Sequence, residues 1–290
     1  MALFRALESA RCANTRLFHD PFASLFLQGW RRWLYRVARF NLGRRLVEWL
    51  LDQKAPGARA AGIARTKWID DQATIALDTA SQLVLLGAGF DTRAFRLRCA
   101  ARATIFELDL PDVSLAKQAV LNAAVTRIPD RLRFATIDLN RQSLREVLAE
   151  AGFDRRQAAC FIWEGVTNYL TADAVDAALR QMRQAAPGCT LLFTYIDREV
   201  IENPDLFFGA ERMMARLRSY GEPWTFGIRP QEIEAYLASR GFRLLRDLSI
   251  SDVWQRLGRP GSGTHGYEFY RVAAVQSHES TPSAPVAMPD

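Results

Sequence analysis

Short apolar runs alternate with longer amphipathic segments from residue 82 onward, and this alternation limits the possible fold more than any other feature. The seven runs cover residues 82–87, 103–109, 132–138, 159–165, 189–196, 242–250 and 266–275. The segments between the first five runs carry apolar residues three and four positions apart, which is typical of amphipathic helices. Strands that alternate with helices indicate βαβ units, so we predict an α/β fold with a mostly parallel sheet covered on both faces.

Three parts of the chain fall outside the alternation. Residues 1–80 read as helical, and residues 198–230 form an insertion between the fifth and sixth strands that is rich in Phe, Met, Trp and Arg. Residues 277–290 have the Pro/Ser-rich composition of a disordered tail. We therefore divide the chain into a helical extension (1–80), an α/β domain (81–276) and a tail (277–290).

The composition bears on where the protein is located and on whether it binds a metal. The chain has 290 residues, 49% of them apolar, and a net charge of +6. It has no apolar run of 18 residues and no signal-peptide pattern, so we expect a cytoplasmic protein without a membrane span. The four cysteines form no C-x-x-C pair and there are only three histidines, so we expect no metal site.

The stretch LVLLGAGFDTRAFRL, residues 83–97, predicts a nucleotide-cofactor site at the end of the first strand. Gly87 and Gly89 allow a sharp turn and let a ligand lie against bare main chain. Asp109 ends the second strand about twenty residues later, the spacing at which a carboxylate accepts ribose hydroxyls. Asp138 ends the third strand and can accept from an adenine amino group, with Leu139 against the ring.

Two ligand classes fit these strand ends, a dinucleotide and S-adenosylmethionine. A dinucleotide needs its pyrophosphate at a helix N-terminus, where a third glycine allows close packing. This sequence has Asp91, Thr92 and Arg93 there, and a carboxylate would repel a pyrophosphate. S-adenosylmethionine carries a sulfonium and an ammonium, which acidic residues attract, so the sequence favours S-adenosylmethionine over the dinucleotide of an oxidoreductase.

Several segments resemble the successive motifs of the leucine carboxyl methyltransferase family. They are LLGAGFDTRAFRL, FELDLPDV, IDL and IWEGVTNYL, preceded by RALES, FHDPFA and ARTKWIDD, and together they extend from about residue 5 to 275. The resemblance implies a class I methyltransferase, or Rossmann-like, fold. Its sheet would have seven strands, mostly parallel, with the last strand antiparallel and inserted beside the fifth. The N-terminal helices and the 198–230 insertion would form a lid over the substrate.

The resemblance also implies how S-adenosylmethionine would be held. Arg65 would pair with the methionyl carboxylate, and Glu164 would lie near the amino group. Gly87, Ala88 and Gly89 would lie along the methionyl chain. Asp109 and Leu110 would contact the ribose, and Asp138 and Leu139 would contact the adenine.

The acceptor is less constrained than the cofactor. Family members often have Arg after the Asp-Leu of the third strand, whereas this chain has Asn140, followed by Arg141. We take Asn140, Arg141 and Tyr195 as candidates for substrate contact, and no catalytic residue is assigned. The leading hypothesis is O-methylation of a carboxylate of a small molecule or natural product. Methylation of a phenol or hydroxyl of a polyketide-like metabolite, and a non-catalytic binding subunit, are the alternatives.

Two further expectations concern the helical extension. The aromatic and basic run at residues 30–45 is interpreted as a lid helix, with Trp33, Val37 and Phe40, or Leu34 and Ala38, facing inward and arginines facing outward. A membrane-surface or nucleic-acid segment is the other interpretation, and no nucleic-acid partner is expected. Asp70 and Asp71 are interpreted as a solvated helix end, and a role in capping or ordering the pocket is the alternative. The oligomeric state is left open.

Overall fold

A seven-stranded sheet forms the centre of the molecule. The computed structural model describes residues 1–139, 141–258 and 267–278. The strands are β1 (Gln82–Leu86), β2 (Thr104–Asp109), β3 (Leu132–Thr136), β4 (Ala159–Trp163), β5 (Thr190–Ile196), β6 (Phe242–Ser249) and β7 (Tyr270–Ser277). Each of the seven apolar runs in the sequence contains or overlaps one of them.

The strand order is β3-β2-β1-β4-β5-β7-β6. The strands from β3 to β5 are parallel to one another, and β7 is antiparallel to both β5 and β6. This confirms the predicted sheet, including the last strand beside the fifth. The order reverses between β1 and β4, and a crevice forms at the carboxyl ends of such strands.

Twelve α-helices surround the sheet in the described part of the chain. They are α1 (Ala2–Ser9), α2 (Gly29–Ala38), α3 (Asn41–Lys54), α4 (Ala58–Ala76), α5 (Arg93–Arg96), α6 (Pro111–Ala124), α7 (Leu144–Glu150), α8 (Ala172–Ala185), α9 (Glu199–Glu202), α10 (Ala210–Ser219), α11 (Ile233–Ala238) and α12 (Ile250–Arg256). None of these helices is long and apolar enough to cross a membrane.

Helices cover both faces of the sheet, which explains why the strand sequences are apolar without alternation. In β1, Leu83 and Leu85 pack in one core with residues of α4, α10 and α12, whereas Val84 and Leu86 pack in a second core with residues of α7, α8 and α11. Successive side chains of a strand point to opposite faces, so both sets must be apolar.

The helical extension has a small core of its own, formed mainly by α1, α2 and α3. The inward positions predicted for α2 are right for Leu34 and Ala38 and wrong for Trp33 and Phe40, which are 62% and 74% exposed. Leu34 and Ala38 are one turn apart and face α1, so the side chains on the neighbouring faces of this short helix cannot also be buried.

The insertion after β5 contains α9 and α10, and the chain then returns along residues 224–228 to the sheet. Ile228 N–H donates to the Ile196 carbonyl at 3.0 Å, and Thr225 N–H donates to the Asn168 carbonyl at 2.9 Å. These bonds hold the insertion over the carboxyl ends of β4 and β5. Residues 279–290 of the predicted tail lie outside the described residues.

Candidate functional site

The glycine turn after β1 is held against two neighbouring segments. Gly87 and Gly89 have φ values of +64° and +44°, a region that residues with a side chain rarely adopt. A Cβ on Gly87 would lie 2.4 Å from Cγ2 of Val166. The Gly87 N–H donates to the Leu108 carbonyl at 2.8 Å, and the Gly89 N–H donates to the Asp109 carboxylate. The turn therefore requires glycine and leaves its main chain open to a ligand.

Arg93 is the centre of an ion-pair network directly behind this turn. Its guanidinium contacts Asp70 at 2.8 Å, Glu164 at 2.9 Å and the carboxylate of Asp91, and only 2% of its side chain is exposed. Arg96 binds the same Asp70 at 2.5 Å. The expectation of a solvated Asp70 is wrong, because two arginines from the DTRAFR segment draw its carboxylate into the interior.

A second part of the network ties α1 to the same turn. Arg5 Nε lies 2.8 Å from Asp20 Oδ2, and the Thr92 hydroxyl donates to the same carboxylate at 2.7 Å. The Arg5 guanidinium also donates to the Phe90 carbonyl. Buried charges are tolerated when each is paired and hydrogen-bonded. The network thus joins the RALES, FHDPFA and ARTKWIDD segments to the glycine turn.

Two carboxylates of the network, those of Asp91 and Glu164, stay ionised. Burial raises the pKa of Asp91, but Arg93, Lys117, Arg5 and Arg96 together lower it more, and the net pKa lies well below its usual range. Burial also raises the pKa of Glu164, and Arg93 and Arg65 together bring it below its ordinary value. These two ionised carboxylates and the guanidinium groups of Arg5 and Arg65 therefore face the same space at neutral pH.

That space is a cavity of about 170 Å³ between the glycine turn and α1. Its walls come from the turn, the ends of β1 and β4, and the network: Leu86, Gly87, Ala88, Gly89, Phe90, Asp91, Ile162, Glu164, Arg65, Met1, Ala2 and Arg5. Arg65 Nε lies 2.9 Å from Glu164 Oε1. A guanidinium beside a carboxylate suits a zwitterionic amino-acid group, because each charge of the group finds an opposite partner.

The remaining expected cofactor residues follow the next two strands at the same edge of the sheet. Asp109 pairs in register with Thr136, which places Asp109 and Asp138 at neighbouring strand ends. One Asp109 oxygen accepts from Gly89 N–H and the other from Leu110 N–H, the latter at 2.7 Å. Leu110 is half exposed, and Leu139 packs at the edge of the second core.

A second cavity of about 270 Å³ adjoins the first and shares Met1 and Arg65 with it. Five aromatic residues line it: Phe4, Tyr169, Trp224, Tyr267 and Tyr270. Residues of α4 and of the insertion complete the wall, including Met213 and Leu217 of α10. The Arg65 guanidinium carbon lies 5.0 Å from the centre of the Tyr270 ring, so the cation of the first cavity also stacks on the aromatic wall of the second.

The structure places two of the three expected substrate-side residues away from the cavities. Tyr195 is fully buried, and its hydroxyl donates to Asp247 at 2.9 Å, so it reaches neither cavity and the expectation of substrate contact is wrong. Arg141 extends into solvent near Asp138, with 84% of its side chain exposed, and lines neither cavity. Asn140 lies outside the described residues.

Tyr169 was not among the site residues predicted from the sequence. It is 42% exposed and lines the aromatic cavity. The EGVTNYL segment that contains it turns at Gly165 and continues through a short 3-10 helix, Thr167–Tyr169, whose first hydroxyl donates to the Thr194 carbonyl at 2.7 Å. The position of Tyr169 just after a strand end, on a loop, was the available sign of a binding residue.

A family model named leucine carboxyl methyltransferase matches residues 1–183. A Frankia alni protein named as an S-adenosyl-L-methionine-dependent methyltransferase is 30% identical over 278 residues, which cover 91% of this chain and 88% of that protein. A protein of the same description from Parafrankia sp. is 30% identical over 264 residues, which cover 89% and 79% of the two chains.

Solved structures resemble the fold at lower identity. A methyltransferase from Thermobifida fusca aligns with a TM-score of 0.56 and 18% identity, covering 83% of this chain and 90% of that one. A duf574 family protein from Streptomyces avermitilis aligns with a TM-score of 0.57 and 12% identity, covering 94% and 99%. With the glycine turn and the matched family model, these findings lead to one conclusion: the chain belongs to the leucine carboxyl methyltransferase family and is an S-adenosylmethionine-dependent methyltransferase.

Proposed function

We propose that this enzyme methylates an oxygen of an acidic small molecule, and that this oxygen belongs to a carboxylate. The observation that carries the proposal is the aromatic cavity, which opens beside the charged cavity and shares Arg65 with it. A cofactor in the first cavity would present its methyl group toward the second. The walls of the second cavity suit an acceptor with an apolar or aromatic body.

In this proposal, the charged cavity holds the methionyl end of the cofactor. Arg65 pairs with the carboxylate, and Glu164 attracts the ammonium. Gly87, Ala88 and Gly89 lie along the methionyl chain. Asp109 and Leu110 contact the ribose, and Asp138 and Leu139 contact the adenine at the next strand end. The bond from Gly89 N–H fixes the Asp109 carboxylate in place before the ribose arrives.

The mouth of the aromatic cavity favours an acidic acceptor. A larger groove of about 550 Å³ joins it at Met213 and Tyr267. Its lining includes Lys54, Arg212 and Arg216 and no acidic residue among those described. A row of cations attracts anionic acceptors over neutral ones and raises their local concentration.

The groups around the aromatic cavity also favour a carboxylate over a phenol. A carboxylate is ionised at neutral pH and needs no base, whereas a phenol has a pKa of about 10 and needs a base near its proton. Among the described residues that line this cavity there is no His, Asp or Glu. Burial raises the pKa of Tyr267 to about 12, so its hydroxyl is a hydrogen-bond donor at neutral pH rather than a base.

The reaction is a direct displacement. The cofactor supplies an electrophilic methyl group; the acceptor oxygen forms the new bond to carbon while the carbon–sulfur bond breaks, and its electron pair remains on sulfur. The chain's own residues align the two reactants and exclude water. In the proposal the extension and the 198–230 insertion act as the lid, because α1, α4 and α10 all contribute to the two cavities. We place this reaction in the cytoplasm.

The test is methyl transfer from radiolabelled S-adenosylmethionine to a panel of aromatic and aliphatic acids and their phenol counterparts. We expect label in base-labile methyl esters and a single-turnover rate that is nearly flat from about pH 6 to 9, since the acceptor stays ionised throughout. Label in base-stable ethers, with a rate that climbs about tenfold per pH unit, would overturn the carboxylate assignment in favour of a phenol acceptor.

A further inference from the structure

The helices α2 and α3 expose an unusual number of large apolar side chains. Trp30, Trp33 and Trp49 are 57–62% exposed, whereas the other four of the seven tryptophans are at most 7% exposed. Four more exposed apolar residues lie on the same two helices or between them: Phe40, Leu42, Leu46 and Leu50. A contiguous apolar surface of this kind marks an interaction site rather than ordinary solvent-facing surface.

The outward side of α3 is the apolar one. Its inward side packs on the extension through Val47 and Leu51. Leu42, Leu46, Trp49 and Leu50 recur at spacings of three and four on the opposite side, where a helix of a globular protein usually carries charge. The two acidic side chains of α3 are already paired, Glu48 with Arg11 at 2.7 Å and Asp52 with Arg59 at 2.6 Å.

The exposed part of α2 carries a separate basic stripe. Arg32, Arg36 and Arg39 line a groove of about 450 Å³ against the end of α6, together with Tyr35 and the small residues Ala123 and Ala124. No carboxylate lies within ion-pair distance of these three arginines in the described part of the chain. Between Gly29 and Val47 the sequence has no acidic residue, so nothing within the segment offsets their charge.

We propose that the α2–α3 surface, residues 29–54, binds the surface of an anionic phospholipid membrane. Tryptophan and leucine side chains would enter the boundary between headgroups and acyl chains, and the three arginines would bind headgroup phosphates. This binding is peripheral and separate from the methyltransfer chemistry. None of the three arginines and none of the exposed tryptophans and leucines of this surface lines the charged cavity, the aromatic cavity or the groove at its mouth.

The charge and the side-chain types of this surface favour a membrane over two other partners, a second copy of the chain and a single-stranded nucleic acid. A second copy of the chain would bring its own arginines to the same patch, because a two-fold interface pairs identical surfaces, and like charges would repel. A single-stranded nucleic acid would suit the arginines and the tryptophan rings, but Leu42, Leu46 and Leu50 offer nothing for bases to stack on.

The test is co-sedimentation of the full chain with vesicles of phosphatidylcholine alone or mixed with phosphatidylglycerol. We expect binding to the anionic vesicles, at least tenfold weaker binding to the neutral ones, and a blue shift of tryptophan emission, because only the tryptophans of this surface are exposed. The triple variant Arg32→Gln, Arg36→Gln and Arg39→Gln should reduce binding to anionic vesicles at least tenfold. The variant Trp33→Ser, Leu46→Ser and Trp49→Ser should reduce binding to anionic vesicles at least tenfold, and the emission of its remaining exposed tryptophan, Trp30, should not shift.

Matched controls remove the same chemistry from other surfaces. Arg127→Gln, Arg145→Gln and Arg156→Gln remove three exposed arginines, and Ile75→Ser, Leu115→Ser and Leu245→Ser remove three exposed apolar side chains. Both controls should bind vesicles as the wild type does, and all variants should keep their affinity for S-adenosylhomocysteine. Wild-type protein that stays in the supernatant with anionic vesicles overturns the proposal. The proposal is also overturned if the wild type is a dimer and the serine variant is a monomer. RNA binding that needs the three arginines, without vesicle binding, would overturn it as well.

Discussion

Among the residues that the structure describes, Arg65 is the one charged side chain that lines both cavities of the site. It pairs with Glu164 on one side and stacks on Tyr270 on the other. Glu164 has a second cation in Arg93 at 2.9 Å, so removing Arg65 does not leave a buried carboxylate without a partner. Substitutions of Arg65 therefore report on ligand binding more than on folding.

We expect Arg65→Ala to weaken binding of S-adenosylhomocysteine about thirtyfold, the equivalent of about 2 kcal/mol, because the ligand carboxylate loses a charge-assisted hydrogen bond. The affinity of Arg65→Lys should lie between that of the wild type and that of Arg65→Ala, since lysine keeps the charge but lacks the planar guanidinium. Isothermal titration measures all three. Arg59→Ala, on the same helix but paired with Asp52, is the control. Wild-type affinity in Arg65→Ala would remove this residue from the cofactor site.

At Gly87, two contributions to the unfolding free energy can be measured separately: the strain of a positive φ and the steric contact of a Cβ with Val166. We expect Gly87→Ala to lower the free energy of unfolding by about 2–4 kcal/mol, because it combines a positive φ with a Cβ 2.4 Å from Val166. Gly209→Ala has a similar φ of +76° but open space around its Cβ, so it should cost only about 1 kcal/mol. Urea unfolding measures both.

In the double variant Gly87→Ala with Val166→Ala, the new Cβ no longer meets the Val166 side chain. The double variant should therefore regain the unfolding free energy lost to that contact, but not the part lost to the positive φ. If the two glycine variants are equally destabilised, contact with Val166 contributes nothing and the account of the turn is incorrect.

Tyr195 shows how a prediction can fail by a single residue. Alternate residues of β5 point to opposite faces. Thr194 contacts the lining of the aromatic cavity, because its hydroxyl accepts from Gly165 N–H at 2.7 Å, whereas Tyr195 faces the second core. The sequence located the end of the strand correctly, but both residues are compatible with a buried strand, so the pattern alone could not decide which one lies next to the cavity lining.

At the scale of elements, α1 forms one wall of the charged cavity. Met1, Ala2 and Arg5 line it, and Arg5 fastens the helix to Asp20 and to the Phe90 carbonyl. In the proposed function the cofactor lies against this helix, so we expect its exchange to involve movement of α1. Lid motion of this kind often limits the release of products.

We expect Arg5→Gln to speed the dissociation of S-adenosylhomocysteine about tenfold, because α1 opens more readily when its buried ion pair is lost. Stopped-flow displacement by excess unlabelled ligand measures the rate. Arg11→Gln is the control, because Arg11 pairs with Glu8 and Glu48 and lines neither cavity. An unchanged dissociation rate in Arg5→Gln would show that α1 does not gate the cavity.

The pairing of α6 with β2 depends on a buried ion pair. Lys117 Nζ lies 2.6 Å from Glu107 Oε2, and both side chains are almost fully buried. Burial raises the pKa of Glu107 to about 7, although Lys117 lowers it. A carboxyl with a raised pKa is protonated more readily in the folded state than in the unfolded state. Its contribution to stability is therefore greatest below its ordinary pKa of 4.5 and is lost as the pH rises through about 7.

We expect Lys117→Met to cost about 3–5 kcal/mol of unfolding free energy at pH 8, where buried Glu107 must either stay charged without a partner or take up a proton that the unfolded chain does not bind at this pH. The cost should be smaller at pH 5, where Glu107 is protonated. Adding Glu107→Leu should recover most of the loss at pH 8. Lys67→Met, which breaks an exposed pair with Asp71, should cost at most about 0.5 kcal/mol. Denaturation at the two pH values gives all the comparisons, and an equal loss at pH 5 and pH 8 would refute the argument.

For the whole molecule, the sequence predicted the sheet and the glycine turn better than it predicted the network behind them. A buried strand and a glycine turn leave local patterns that can be found without a structure. The bonds from Arg93 to Asp70 and to Glu164 join residues 23 and 71 positions away, and no local pattern marks such partners. The same reason explains why the sequence left two alternative inward sets open, one with Trp33 and Phe40 and one with Leu34 and Ala38. Periodicity identifies an apolar side of a helix but not what covers it.

The position of β7 between β5 and β6 has a consequence for synthesis on the ribosome. The five strands from β1 to β5 emerge in an order that lets each pair with a parallel neighbour. The outer edge of β5 stays unpaired until residues 197–269 and then β7 have been synthesised. During that interval the nascent chain presents an unpaired apolar strand, the kind of edge that aggregates. We expect chains stalled before residue 270 to be cleaved by protease at β5 and chains released after residue 277 to resist, so the order of translation makes the final strand the step that commits the molecule to its fold.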